Sequence, residues 1–353
     1  MSSASRQAYL NTRLSMMATQ LFEPAAVNDL VKLSSQELAE RFGLEAVFDD
    51  QLTTRAKSRA VEQSLIQTLL CELAVLVRPM NATERTMVLD WARKYALYNL
   101  KTLIRGKLYN LEQREIRDNL YDLPEILRLP RQELFRAESV LELLRQLEDG
   151  PHRVIARQAR EIYEQKREPF VLEAAIDQRY YTNLVRQVMK FNDDNLRPLQ
   201  HLIGAELDRV GMLWLLRFRF SYGLSPSETF YQLVPSFRTL HRERLLSLVD
   251  QDSFERTLES IPEPLRRVTA GSKTVVDVQK RLGAYVAKEA RQILRHSPSG
   301  VARSLAYLIL REMDLFALFA MVQGKLLQLS PELVDIAVEL AEPTCLWSPA
   351  AAA

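Results

Sequence analysis

Two Gly-Lys pairs, Gly106–Lys107 and Gly324–Lys325, are the residues of this chain whose type and spacing could grip a phosphate. A phosphate loop also needs a glycine five residues ahead of the pair and a Ser or Thr behind the lysine. Leu108 and Leu326 follow the two lysines instead, and Phe319 fills the earlier place in the second pair. Both pairs also fall inside a helical pattern rather than at a strand-to-helix turn. The four histidines, His152, His201, His241 and His296, have no HxxxH or HExxH spacing, so no metal site is expected. There is no GxSxG elbow and no GxGxxG. Cys71 and Cys345 form no CxxC and read as two free thiols. Asp193–Asp194 and Glu148–Asp149 adjoin turn residues and read as solvated. Catalytic residues, cofactors and metals are therefore all expected to be absent.

The remaining chemistry is basic. Lys101, Arg105 and Lys107, then Arg217 and Arg219, then Lys325 surround a phrase that the chain repeats. Brought together at one pole, they would suit an acidic or carbonyl-rich end of another protein. Such complementarity sets register and encounter rate.

The phrase itself points to the elements that must position these cations. Leu103–Ile104–Arg105–Gly106–Lys107–Leu108 is closed by Leu111, and Met321–Val322–Gln323–Gly324–Lys325–Leu326 is closed by Leu329 in the same register. A degenerate copy runs from Leu213 to Leu224, with Arg219–Phe220 in place of Gly-Lys. The copies lie about a third of the chain apart, which makes three similar modules the first reading of the chain. Leu97, Leu100, Ile104, Leu108 and Leu111 follow steps of three or four, as do Leu315, Leu318, Phe319, Val322, Leu326 and Leu329. Helical spacing puts such residues on one stripe that must be buried. Leu100, Leu111, Leu213, Leu224, Leu318 and Leu329 are thus the expected core of one helix used three times. Ser225–Pro226–Ser227–Glu228 reads as a capping box with proline at the first helical position. Ser330–Pro331 repeats that start, and Glu112–Gln113 stands there in the first copy. Each module accordingly reads as helix, tight turn, helix.

Composition agrees. Glycine is 10 of 353 residues, against a usual ~7%, and strand-rich folds need glycine for their turns. Lys273–Val278 is the only strand-like stretch and reads as a loop or helix start. Lysine and arginine number 47 against 45 acids, which is no footprint for nucleic acid. The first residues lack an apolar core of the signal-peptide type. The longest apolar runs, such as Leu315–Val322, fall short of the ~20 residues a bilayer span needs, so any membrane contact is expected through partners. Breaks at Pro124, Pro130, Gly150–Pro151, Pro235 and Pro262–Pro264 lead to modules at 1–125, 126–240 and 241–348, with a frayed tail at 349–353.

In order and spacing, further stretches resemble the C subunit of the archaeal and bacterial V-type (A-type) ATPases, equivalent to the d subunit of the eukaryotic vacuolar ATPase. They are Tyr9–Leu10–Asn11–Thr12–Arg13, Tyr98–Asn99–Leu100–Lys101–Thr102–Leu103–Ile104–Arg105, Leu172–Glu173 through Asp177–Gln178–Arg179–Tyr180–Tyr181, and Glu206–Leu207–Asp208 through Tyr222–Gly223–Leu224–Ser225. Glu312 through Gly324–Lys325 and Leu329–Ser330–Pro331–Glu332 complete the series. The likeness covers about residues 8 to 345. Gly211 stands where it would put asparagine, and Ala96, Leu97 and Tyr98 stand where it would put an acid ahead of Asn99. The resemblance implies an all-α chain of three helical modules around a pseudo-threefold axis, shaped like a funnel and without an active site. It implies a cytoplasmic, peripheral central-stalk subunit that receives the rotor shaft and sits on the membrane proteolipid ring, coupling rotation to ion (proton) transport. Lys101, Arg105, Lys107, Arg217, Arg219 and Lys325 then become candidate shaft contacts. The competing reading is a helical scaffold or adaptor unrelated to ATPases. A solenoid of that kind would repeat every 20 to 50 residues, a period this chain lacks.

Overall fold

Helix starts are written locally in this chain. Ser34 with Glu37, Asn81 with Glu84, Ser225 with Glu228 and Thr274 with Asp277 each form a reciprocal capping box. In such a box the first side chain accepts an orphan amide of the opening turn, and the acid three residues on reaches back to the cap amide. The Lys273 amide and the Thr274 hydroxyl hold the Asp277 carboxyl below its usual range. Lys273–Val278 is thus the start of a helix, and the box at Ser225–Glu228 is the one its sequence signals.

The computed structural model describes residues 3–45, 52–129, 131–149, 152–166, 169–190 and 196–340; the breaks at Pro130 and Gly150–Pro151 and the tail lie outside them. Every regular element among the described residues is helical. In chain order these are α1 (Ser3–Met17), α2 (Pro24–Lys32), α3 (Ser35–Phe42), α4 (Thr54–Val77), α5 (Ala82–Ala92) and α6 (Lys94–Leu108). There follow α7 (Gln113–Asp118), α8 (Arg131–Arg136), α9 (Val140–Leu147), α10 (Arg153–Lys166), α11 (Pro169–Met189) and α12 (Arg197–Leu216). The last are α13 (Pro226–Gln232), α14 (Arg242–Val249), α15 (Phe254–Ser260), α16 (Leu265–Thr269), α17 (Val275–His296), α18 (Gly300–Leu326) and α19 (Pro331–Glu339).

The described chain forms two compact units. One holds residues 3–102, 112–129 and 307–340, and the other holds 103–111 and 131–306. In the first unit, α4 buries Val61, Leu65, Ile66, Leu69, Leu70, Leu73, Leu76 and Val77. By length and composition α4 is apolar enough to cross a membrane, which amends the expectation that no stretch reaches that length. The periodic burial and the Glu72 carboxylate, which accepts from Tyr307 and Arg311, are those of a core helix. Burial and then Glu72 push the Tyr307 hydroxyl well above its ordinary pKa. In α6, Asn99 fastens a following loop by donating to the Tyr121 carbonyl at 2.9 Å and accepting the Tyr121 amide at 2.8 Å.

In the second unit the axis is α12, which buries fifteen of its residues, Leu199 and all of Leu202 through Leu216 except Glu206. It packs on α11 and α17. Its C-terminus widens into one π-helical stretch, Arg217–Ser221.

Candidate functional site

The three copies of the repeated phrase share one backbone turn. A helix leaves its last carbonyls unpaired, and a left-handed residue just past the end lets the next amide turn back to them. Asn110 and Gln328 take that conformation at φ 51° and 53°, and Gly223 takes it at 69°. The closing leucine follows at once in all three copies. Leu111 donates to the Gly106 carbonyl and Leu329 to the Gly324 carbonyl, both at 2.9 Å. Leu224 donates to Phe218, one residue further back, because the π stretch inserts a residue. A second helix follows each turn, at α7, α13 and α19.

The Gly-Lys pairs therefore sit at the carbonyl end of a helix. That end carries partial negative charge, the opposite of what a phosphate site needs. The cations work there in another way. Lys107 donates to the Phe135 carbonyl at 2.9 Å, and Lys325 donates to the Val31 carbonyl at 2.8 Å. Arg219, in the degenerate copy, donates to the Val249 carbonyl at 2.9 Å and to the Leu224 carbonyl at 2.8 Å. Phe135, Val31 and Val249 all lie in the last turn of a short helix, α8, α2 and α14 respectively. Each repeat cation thus meets unpaired carbonyls where the helix dipole favours positive charge.

Two copies hold the other end of the same short helix. Asp314 accepts the Phe22 amide at 2.8 Å, and Asp208 accepts the Leu240 amide at 2.9 Å. Phe22 and Leu240 each stand two residues ahead of their helix, α2 and α14. Acid at the start and base at the end complement the dipole at both poles. The matching place in the first copy is Ala96, which has no carboxylate to offer, and α8 is gripped at its other end by Lys107.

These contacts correct part of the sequence reading. Leu100, Leu213 and Leu318 are buried, but Leu111 and Leu329 are 38% and 40% exposed, and Leu224 is half-buried. The left-handed residue ends the helix before the closing leucine, which leaves the buried stripe and caps the turn. Lys101 is only 3% exposed and does not present its charge at the surface, because it lies one turn after Leu97 on the buried side of α6. Arg105 forms a bidentate pair with Glu173 on α11. Arg217 donates to Gln279 on α17 at 2.6 Å. Among the four cations of the second unit, Arg105, Lys107, Arg217 and Arg219, each therefore serves a different internal partner.

Sequence reasoning missed the acceptors, because any residue can offer a carbonyl and no side-chain type marks it. It also missed Tyr109, Tyr222 and Leu327, exposed by 57%, 42% and 52%. These stand two places ahead of the closing leucine in the three copies, a register readable from the chain. Burial raises the Tyr222 hydroxyl above its usual pKa, against the opposing charge of Arg217. Among the described residues no group of three His, Cys, Asp or Glu could hold a metal.

Gly324 is required for a close approach. A Cβ built there would meet Val334 Cγ2 of α19 at 2.6 Å. Valine is stiff at χ1 and cannot swing aside. Gly324→Ala is therefore expected to lower the unfolding free energy by ~1–3 kcal/mol, although alanine within a helix would otherwise gain ~0.5–1 kcal/mol. Urea melts check this, and adding Val334→Ala should restore part of the loss. An unchanged or higher midpoint for Gly324→Ala would show that α19 does not pack this closely.

Comparison with known proteins fits this repeated frame. The model of the ATP synthase (C/AC39) subunit family matches residues 10–335. The C subunit of the A-type ATP synthase of Methanocaldococcus jannaschii is 24% identical, over 92% of this chain and 84% of its own length. That of Methanosarcina mazei is 23% identical, over 94% of this chain and 92% of its own. That of Thermococcus kodakarensis is 24% identical, over 75% of this chain and 70% of its own. With the match spanning all three repeated turns, the chain belongs to the ATP synthase (C/AC39) subunit family.

Proposed function

We propose that this chain is the non-catalytic central-stalk subunit of an A-type (V-type) rotary ATP synthase, joining the rotor shaft to the membrane proteolipid ring. It would lie on the cytoplasmic side, peripheral to the membrane and held there by its partners. The observation that carries the reading is the cyclic order of the repeat cations. Lys107 in residues 1–125 holds α8, the first described helix of 126–240. Arg219 in 126–240 holds α14, the first helix of 241–348. Lys325 in 241–348 returns to α2, near the start of 1–125. Each module thus grips a helix of the next and the last grips a helix of the first, an order that suits three equivalent modules.

A torque adaptor transmits load without chemistry, so it needs modules that cannot slip past one another. On this reading the six candidate cations serve the shaft indirectly. Three of them, Lys107, Arg219 and Lys325, hold short helices in place, and the exposed Tyr109, Tyr222 and Leu327 offer apolar contact area to partners. The archaeal relatives, themselves C subunits of A-type ATP synthases, support the assignment.

Affinity capture of the tagged chain from gently solubilised host membranes, read by mass spectrometry, is the test. Rotor-shaft subunits and a small, very apolar proteolipid should come down together. A clean capture that lacks both, from membranes where the synthase is assembled, would overturn the stalk assignment.

A further inference from the structure

The Asp177–Gln178–Arg179–Tyr180–Tyr181 segment of α11 contains an arginine that the fold does not use. Arg179 makes no hydrogen bond or ion pair among the described residues, and its Nε is buried without an acceptor. Such a donor is uncommon, since buried polar groups nearly always find partners. Burial, and then the like charge of Arg186, hold its guanidinium below the usual arginine range, with no carboxylate opposing them.

Arg179 lines a cavity of about 720 Å³ within the second unit, together with Arg153 and Arg157 from the start of α10. Two of the three acids of that cavity are already paired, one of them within the lining. Glu148 pairs with Arg160 at 2.6 Å, and Glu161 pairs with Arg157 at 3.0 Å. Arg153, like Arg179, has no hydrogen-bond or ion-pair partner among the described residues, so the lining holds two unpaired guanidinium groups and the carboxylate of Asp149. A guanidinium fork matches the oxygens of phosphate and carboxylate. The cavity falls within the ~300–1,000 Å³ of small-molecule sites and holds far more than one carboxylate.

We propose that this cavity binds a free phosphoryl anion of pyrophosphate or nucleotide size, held by the half-buried Arg179 and the exposed Arg153. The anion supplies the acceptor that Arg179 lacks, and its multiple charge outweighs Asp149. Gln158, also in the lining, offers a neutral amide beside them. The site lies within one unit and does not depend on the stalk assignment.

Calorimetric titration of the purified full chain with pyrophosphate, and separately with ATP, tests the proposal. One saturable site is expected for pyrophosphate. Arg179→Met should weaken it by about tenfold or more, the loss of a charge-assisted fork. Because that substitution removes an unpartnered charge, the melting temperature without ligand should hold or rise. Arg153→Met, at an exposed position, provides a second variant that leaves the fold alone and should also weaken binding. Tighter binding of ATP than of pyrophosphate would identify a nucleotide as the occupant, and equal binding would identify the phosphoryl groups alone. Absence of any heat up to about 10 mM of either probe, a range that would still reveal a millimolar site, would overturn the proposal. Equal affinities for the wild-type chain and both variants would do the same.

Discussion

Lys94→Met should cost this protein ~3–5 kcal/mol of folding stability, because it strands a buried carboxylate. Lys94 and Glu312 are 3% and 5% exposed at their side chains and lie 2.6 Å apart. Tyr95 donates to the other oxygen of the same carboxylate. The ammonium also rests 4.0 Å from the Trp91 ring centroid, where a desolvated cation gains a further increment. Removing Lys94 leaves Glu312 in low dielectric with only a hydroxyl for company. Replacing both partners removes the stranded charge, so Lys94→Met with Glu312→Met should recover much of the loss, as apolar replacements of buried pairs often do. Chemical denaturation of the three variants measures this directly. A single variant within ~1 kcal/mol of wild type, the range of an exposed pair, would mean that water reaches the carboxylate.

The second large effect separates two leucines that the chain writes in the same phrase. Leu318 is fully buried in α18, and Leu318→Ala should cost ~2–5 kcal/mol through lost burial and the cavity left behind. Leu329 closes the turn and is 40% exposed. Leu329→Ala keeps its capping amide and should cost no more than ~1 kcal/mol. Leu100→Ala against Leu111→Ala repeats the comparison in the first copy. Equal losses within either pair of urea melts would put the closing leucine back in the core.

These two cases also mark how far the chain could be read unaided. Local chemistry was legible. The capping box at Ser225–Glu228 and the helix–turn–helix order of the copies rest on residues a few places apart, and of the two readings of Lys273–Val278, loop or helix start, the second holds. The buried stripe through Leu100, Leu213 and Leu318 was legible for the same reason. The closing leucines were misread because periodicity alone continues past the end of a helix. Asn110 and Gly223, residue types that tolerate positive φ, were the signal that the chain turns there. Lys101 was misread because its charge outweighed its place on the stripe. What could not be read were contacts between distant residues. Lys94 meets Glu312 across 218 positions and Lys325 meets Val31 across 294, and no spacing rule reaches that far. The cavity at Arg179 is of this kind too, since α9, α10 and α11 must pack before its lining exists.

The π stretch at Arg217–Ser221 keeps the second copy in register with the third. Counted back from the closing leucine, Asp314 is fifteen residues away and Asp208 sixteen. Removing the one extra residue of the wide turn brings Glu206–Leu207–Asp208 onto Glu312–Met313–Asp314, with both aspartates gripping the entry to a short helix. An inserted residue in an ordinary helix would rotate everything upstream by about 100°, at 3.6 residues per turn, and turn the aspartate away from its amide. The wide turn absorbs the insertion and leaves the grip intact. The second and third copies therefore hold their short helices by the same acid and base despite the difference of one residue.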